Sequence, residues 1–206
     1  MSEPDPDTEL LARWTGGDTE AGGILFDRYF AAIARFFRNK VADSLAVQDD
    51  LVQSTFTACL ESSARFRGEG SFRSFLFSIA YNVLRRHYEH RRRDARVDFG
   101  SVSVHDLAKG ASSLLAEHAE LALLTDALRR LPVQLQTAIE LHYWEGASMV
   151  EIGAVLQWPT GTVKSRLRRA RAQLRAYIEA AETTANARRA ALEAVSDGFG
   201  PTPSTE

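Results

Sequence analysis

The sequence predicts an all-α protein: two small helical domains joined by a flexible linker, the second a helix-turn-helix. Three observations carry this expectation. Apolar residues recur at spacings of three and four through long stretches, while alternating, strand-like patterns are few. From about Val97 to Ser113 the apolar period fades into Gly, Ser, Asp and Lys, a linker with room for a short helical turn, which divides the chain. A short helix, a tight turn and a basic helix then close the second half. The expected boundaries are an acidic N-terminal segment at 1–20, a first domain at 21–96, a linker at 97–118, a second domain at 119–180 and a C-terminal tail at 181–206.

In the first domain, Leu25, Phe26, Tyr29, Phe30, Ile33, Phe36 and Phe37 are spaced to share one broad apolar helix face. A second helix is expected to begin near Asp49 or Asp50, whose carboxylates suit a helix N-terminus, and to bury Leu51, Val52, Phe56, Cys59 and Leu60. It ends in the loop Arg65-Phe66-Arg67-Gly68-Glu69-Gly70. Ser71 is placed to cap a third helix with the apolar stripe Phe72, Phe75, Leu76, Ile79 and Val83.

The second domain follows the same logic. Leu121, Leu124 and Leu128 form a stripe ending before Pro132, and Leu135, Ala138, Ile139 and Tyr143 form another ending at Gly146. Ser148-Met149-Val150-Glu151 is a capping box, in which hydroxyl and carboxylate each satisfy a free backbone N–H of the other residue. That helix runs to about Leu156, a turn occupies Gln157 to Thr160, and a last helix runs from Gly161 to beyond Arg175 with Val163, Leu167, Ala170, Leu174 and Ile178 inward. Gly153 falls where the two helices cross, a place with no room for a side chain. The Gly-Pro-Thr-Pro end of the tail is expected to be disordered.

Composition excludes several function classes. The 206 residues include one cysteine, Cys59, which rules out an intrachain disulfide or a cysteine-rich zinc site and points to a reducing, cytoplasmic setting. No stretch approaches the length of a membrane span, and the acidic N-terminus is unlike a signal peptide. His87 and His90 have a spacing compatible with a metal, yet no Cys or carboxylate pair completes a site. Ser, His and Asp occur without a nucleophile motif. The expectation is a non-enzymatic protein with no metal and no cofactor.

Net charge is only -2, but it is strongly segregated. Residues 1–20 hold six acids and one base, residues 65–96 hold nine bases and three acids, and residues 160–177 hold six bases and no acid. Two basic blocks in an acidic chain suit contact with a polyanion at two places; a solvated charged helix face is the plain alternative. On the last helix, the 100° advance per residue turns Ser165, Arg168 and Arg169 away from the core, with Lys164 and Arg175 on the flanks, as a recognition helix in a major groove requires. Thr160 and Thr162 sit at its N-terminus, where free N–H groups favour a phosphate. The third helix carries a second stripe of Phe77, Tyr81 and Tyr88 interleaved with Ser74, Arg85 and Arg92, which fits either stacking of unpaired bases or a second core-facing side. The loop around Phe66, with its Gly and Arg residues, is a candidate pocket for an extruded base.

These residues resemble the extracytoplasmic-function group of bacterial sigma factors, in the sigma-70 family. Asp49-Asp50-Leu51-Val52-Gln53-Ser54-Thr55-Phe56 is similar to one signature of that family, and Phe72-x-x-Phe75-Leu76-x-x-Ile79-Ala80-x-Asn82 to the motif on its next helix. Leu131-Pro132, Leu141-x-Tyr143-x-Glu145-Gly146, Glu151-Ile152-Gly153 and Gly161-Thr162-Val163-Lys164-Ser165-Arg166-Leu167-x-Arg169-Ala170-Arg171 resemble its helix-turn-helix. The resemblance spans about Gly23 to Ala180 and implies a transcription initiation factor working with RNA polymerase core on promoter DNA, with an anti-sigma factor as a further expected partner. It implies that Asp50, Leu51, Gln53 and Phe56 meet the polymerase. Phe66, Arg67, Arg73, Tyr81, Asn82 and Arg85 would serve the minus-ten element, and Thr160, Thr162, Lys164, Ser165, Arg168 and Arg169 the minus-thirty-five element. Phe75, Tyr81 and Arg86 depart from the residues common in the family, and Gln157 stands where its turn usually has Gly. A Gln with positive φ there costs about 1 kcal/mol. The rival reading is a stand-alone helix-turn-helix regulator of duplex DNA.

Overall fold

The computed structural model describes residues 6–63, 66, 70–91, 97–108 and 119–198, with side chains of the last stretch described at 123–184 and 186. Every regular element among them is helical, apart from one isolated antiparallel bridge between Ser103 and Pro132. The acidic N-terminal segment contains a helix, α1 (Pro6–Thr15), built into the first domain. Its Asp7 is buried and bonded by Arg28 and by the Tyr29 hydroxyl at 2.5 Å. Its Trp14 lies across Gly22, where a Cβ would come within 2.4 Å of the indole ring, so a residue without a side chain is what lets α1 lie down.

Helix α2 (Thr19–Lys40) opens on Asp18, whose carboxylate accepts the Glu20 and Ala21 amides at 3.1 Å. Leu25, Ile33, Phe36 and Phe37 are buried as expected, while Phe26 and Phe30 stand exposed with rings 5.0 Å apart. The apolar arc of this helix is wider than its neighbours cover. Helix α3 (Leu45–Ser62) starts earlier than expected, after an extended Ser44, so Asp49 and Asp50 lie in its second turn rather than at its cap. Leu51, Val52, Phe56 and Cys59 are buried and Leu60 is exposed. Burial pushes the Cys59 thiol up to about 12, leaving it unreactive.

Helix α4 (Phe72–Arg91) is capped by Ser71, which accepts the Ser74 amide at 3.2 Å. Both of its stripes are buried: Phe72 and Leu76 of the one read as the core are fully so, with Phe75, Ile79 and Val83 half-buried, and Phe77, Tyr81 and Tyr88 of the other are buried as well. Phe77 packs on Phe36 of α2, ring centroids 5.9 Å apart, whereas Tyr81 and Tyr88 are covered by the start of the linker. Phe99 packs edge-on against Tyr81 and Tyr88, with centroids 5.7 and 6.1 Å away, and Val97 and Val104 are buried beside it. Residues 97–108, including the single-turn α5 (Val104–Leu107) with its Ser103–Asp106 capping box, are therefore packed rather than flexible. The Val133 and Gln134 amides donate to the carbonyls of Val102 and Phe99, both at 3.0 Å, and tie the linker to the second domain. Residues 109–118 lie outside the described residues.

The second domain comprises α6 (Ala119–Arg130), α7 (Val133–Tyr143), α8 (Met149–Leu156) and α9 (Thr160–Gly198). Its core is Leu128, Leu131, Leu135, Ala138, Ile139, Ile152, Leu156, Val163, Leu167 and Ala170. Tyr143, expected inward, is 53% exposed where α7 ends. Helix α9 runs for 39 residues, far beyond Arg175. The two domains pack directly, α4 lying against α8. Among the described residues no helix is long and apolar enough to cross a membrane.

Candidate nucleic-acid interface

Three faces gather the residues singled out by the sequence. The first is an open groove of about 680 Å³ between α3 and α4, floored by Leu51 and Val83 and edged by Gln53, Glu61, Arg86 and His90. Asp50 is exposed on the same helix as Gln53. Phe56 points elsewhere: it is buried with its ring 4.8 Å from Phe26, so its part is to pack α3 on α2. Asp43 braces the basic side, 3.1 Å from His87 Nε2 and paired with Arg91.

The second face is the start and outer side of α4. Phe66 is half-buried, its ring 4.9 Å from Phe75, and Arg67 lies outside the described residues. Arg73 is engaged by the second domain: its guanidinium donates to both Glu151 oxygens, at 2.9 and 3.0 Å, and to the Glu145 carbonyl at 2.7 Å. Tyr81 is 7% exposed, and burial pushes its hydroxyl up to about 12, with a hydrogen bond to Gln134 acting the other way. Tyr81 is thus packed in this arrangement rather than presented to solvent. Asn82 is exposed and Arg85 pairs with Glu89 at 3.0 Å. Tyr81, Asn82 and Arg85 share the wall of a cavity of about 210 Å³ whose far side is Gln134, Leu156 and Gln157.

The third face is the helix-turn-helix. Ser148 and Glu151 form the capping box, with the Ser148 amide 2.8 Å from Glu151 and the Glu151 amide 3.3 Å from Ser148 Oγ. A Cβ on Gly153 would lie 2.9 Å from the Trp158 carbonyl oxygen, which is the close crossing the motif needs. Gln157 takes the left-handed conformation, φ 55° and ψ 41°, and ends α8. Trp158 is buried beneath the Arg166 guanidinium, 4.2 Å from the ring centroid, so Arg166 is committed to packing. Thr160, Lys164, Ser165, Arg168 and Arg169 are exposed. Thr162 is half-buried and its hydroxyl donates to the Pro159 carbonyl at 2.8 Å, which makes it a helix-start brace.

Residues the sequence did not single out join the two domains. Lys40, at the end of α2, is fully buried and paired with Glu140 of α7, which also accepts from Gln136 at 2.8 Å. Burial lowers the Lys40 ammonium and the neighbouring Glu140 charge raises it in part. Arg35 lies 2.5 Å from Glu145. Burial alone would raise Glu151, but hydrogen bonds from Ser71, the Ser148 amide and Arg73 prevail and hold its carboxyl at about 2. Among the described residues, no group of three or more His, Cys, Asp and Glu side chains is placed to hold a metal ion.

Comparison with known proteins agrees with this architecture. The family model described as sigma-70 region 2 matches residues 25–94, and that described as sigma-70 region 4 matches residues 121–174. The chain is 30% identical over 181 residues to the RNA polymerase sigma-H factor of Pseudomonas aeruginosa, covering 83% of this chain and 93% of that one. It is also 30% identical over 180 residues to the ECF RNA polymerase sigma-E factor of Escherichia coli K12, again covering 83% and 93%. Among solved structures, that of CnrH in complex with the cytosolic domain of CnrY is similar at 29% identity and a TM-score of 0.65, covering 85% of this chain and 99% of that one. Two domains in the family's order, with residues 97–108 between them packed and an exposed basic helix in the second, therefore place this chain in the extracytoplasmic-function group of the sigma-70 family, the non-catalytic factors that direct RNA polymerase to promoters.

Proposed function

We propose that the three faces divide the work of promoter recognition. The groove between α3 and α4, with Leu51 as floor and Asp50 and Gln53 at its edge, meets RNA polymerase core; Phe56 supports it from behind. The α4 face, with Phe66, Arg67, Arg73, Tyr81, Asn82 and Arg85, serves the minus-ten element, and α9 reads the minus-thirty-five duplex. The observation that carries the reading is the outer side of α9. Lys164, Ser165, Arg168 and Arg169 stand exposed together, with no acid between Thr160 and Tyr177. Such a face neutralises phosphates and reaches base edges, whereas Thr160 and Thr162 fix the approach of the helix end. A protein of the anti-sigma class is a further proposed partner.

The test is a gel shift on promoter duplexes with and without polymerase core. Binding should require core, because the few exposed bases on α9 neutralise only a few phosphates. Arg168→Ala should weaken holoenzyme binding by about 1–3 kcal/mol, the value of one direct base contact. Asp50→Arg should reduce co-purification with core at unchanged melting temperature, since Asp50 is exposed and caps nothing. Tight, sequence-specific binding by the free chain would overturn the division and identify a stand-alone regulator.

A further inference from the structure

Gln157 holds a left-handed conformation, φ 55°, that glycine would adopt without strain, and its side chain gives the turn no support: among the described residues it makes no hydrogen bond. What Gln157 does line is the cavity of about 210 Å³ between α4, the packed linker and the second domain. Asn82 of α4 lines the same cavity, and its amide is equally uncommitted among the described residues. Other polar groups of the wall are already engaged. Gln134 accepts the Trp158 indole N–H at 3.3 Å and is hydrogen-bonded to Tyr81. Asp98 accepts from the Gly100 amide at 2.9 Å and from the Ser101 hydroxyl at 3.0 Å. Arg85 spends only its Nε on Glu89, which leaves the terminal N–H groups of the guanidinium available.

A side-chain amide offers both a donor and an acceptor, so two of them, one from each domain, can pair with the donors and acceptors on the rim of a nucleobase. Val97, Phe99 and Leu156, all buried, supply apolar walls for the faces of such a ring. The volume equals the share of about seven waters in the liquid, which is room for one heterocycle and not for a peptide. Asn82 and Gln157 are exposed, so the cavity opens to solvent on their side, and the free N–H groups of Arg85 suit a phosphate carried there. Glu89 on Arg85 and Asp98 in the wall oppose a more highly charged tail, which limits the ligand to a single phosphate. We propose that this cavity binds a free nucleoside monophosphate, with Asn82 and Gln157 reading the base and Arg85 holding the phosphate. The site does not depend on the division of promoter work proposed above, and its failure would leave that division standing.

The experiment titrates the full chain with AMP, GMP, CMP and UMP separately, by calorimetry. At least one should bind with a Kd between about 10 μM and 1 mM, the range of a small ligand held by a few directional contacts. Gln157→Gly should weaken that nucleotide by at least about fivefold, the worth of one lost hydrogen bond. Glycine suits the left-handed turn, so this variant stays folded and its loss of binding is a loss of contact. Asn82→Ala should lose as much, with urea unfolding as the check on its fold. Arg85→Gln should also weaken the nucleotide, whereas the matching nucleoside, which lacks the phosphate, should bind wild type and Arg85→Gln alike within about twofold. Failure of all four nucleotides to bind below about 1 mM would overturn the site. Ribose phosphate bound as tightly as the nucleotide would reduce it to an anion contact at Arg85 and overturn the base pocket. Wild-type affinity in Gln157→Gly would put the nucleotide elsewhere and overturn it as well. If Gln157→Gly weakens a short single strand as much as the mononucleotide, the pocket serves a strand, and the assignment to a free nucleotide falls.

Discussion

Replacing the buried Lys40–Glu140 pair tests what that pair contributes. At an effective dielectric of about 20, opposite unit charges 4 Å apart attract by about 4 kcal/mol, and each ion costs several kcal/mol to remove from water. Here neither side chain retains appreciable exposure. The residual costs are offset by Gln136 donating to Glu140 and by the Phe36 ring, whose centroid lies 4.0 Å from Lys40 Nζ. The intact pair should thus be close to neutral against apolar residues of the same size. Glu140→Leu alone strands the ammonium, and Lys40→Met alone strands the carboxylate, at about 3–5 kcal/mol each. Because the pair spans the two domains, that cost should appear first as opening rather than unfolding: the closed-to-open ratio falls by roughly a hundredfold or more, while each domain keeps its own core. Lys40→Met with Glu140→Leu should reclose the chain and leave it neutral or about 1–4 kcal/mol more stable. Energy transfer between the domains reads closure and urea unfolding reads stability. If Glu140→Leu changes both by less than about 0.5 kcal/mol, or if the double variant is as open as the singles, the reasoning from desolvation fails.

Gly153→Val should destabilise the second domain by about 1–3 kcal/mol in thermal melting, because the new side chain meets the Trp158 carbonyl rather than a movable side chain. Gln157→Gly should raise stability by up to about 1 kcal/mol in urea unfolding, since it relieves a left-handed residue while leaving the α8 end in place. Glu151 is held at about 2, below its ordinary 4.5, so its contribution is complete above about pH 4.5 and is lost as the pH falls toward 2. In Glu151→Gln the wild-type loss of closure over that interval should shrink, as followed by energy transfer.

The helix-turn-helix was legible because each of its parts is local. Ser148 and Glu151 are three residues apart, Gly153 and Gln157 mark the crossing and the turn, and one helical period sorts Val163 and Leu167 from Arg168 and Arg169. Helix α1 escaped notice because its few apolar residues gain their worth from a notch at Gly22 on the next helix. The two stripes of α4 were both visible, but that Tyr81 of the second is packed rather than open depends on Phe99 and Gln134, which lie outside the helix and are invisible to any period. The acids that join the domains were the least legible. Glu140 pairs with a lysine 100 positions earlier, Glu145 with an arginine 110 positions earlier, and Glu151 with one 78 positions earlier. Nothing near any of them announces a partner. Asp49 and Asp50 misled in the opposite sense, since acids that suit a helix start also suit an exposed second turn.

Helix α9 joins the end proposed to read bases and the C-terminal extension in one unbroken rod, 39 residues or roughly 58 Å at 1.5 Å per residue. Without a hinge, the two ends are geared together. Inserting a single residue between Arg175 and Asn186 would turn the distal half by about 100° and advance it by about 1.5 Å relative to Arg168, and deleting one would reverse both. Whatever bears on the far end of this shaft therefore acts with a fixed angular phase on the end that carries Lys164, Arg168 and Arg169. Spacing in this stretch is constrained by rotation, even where the identity of each residue is not.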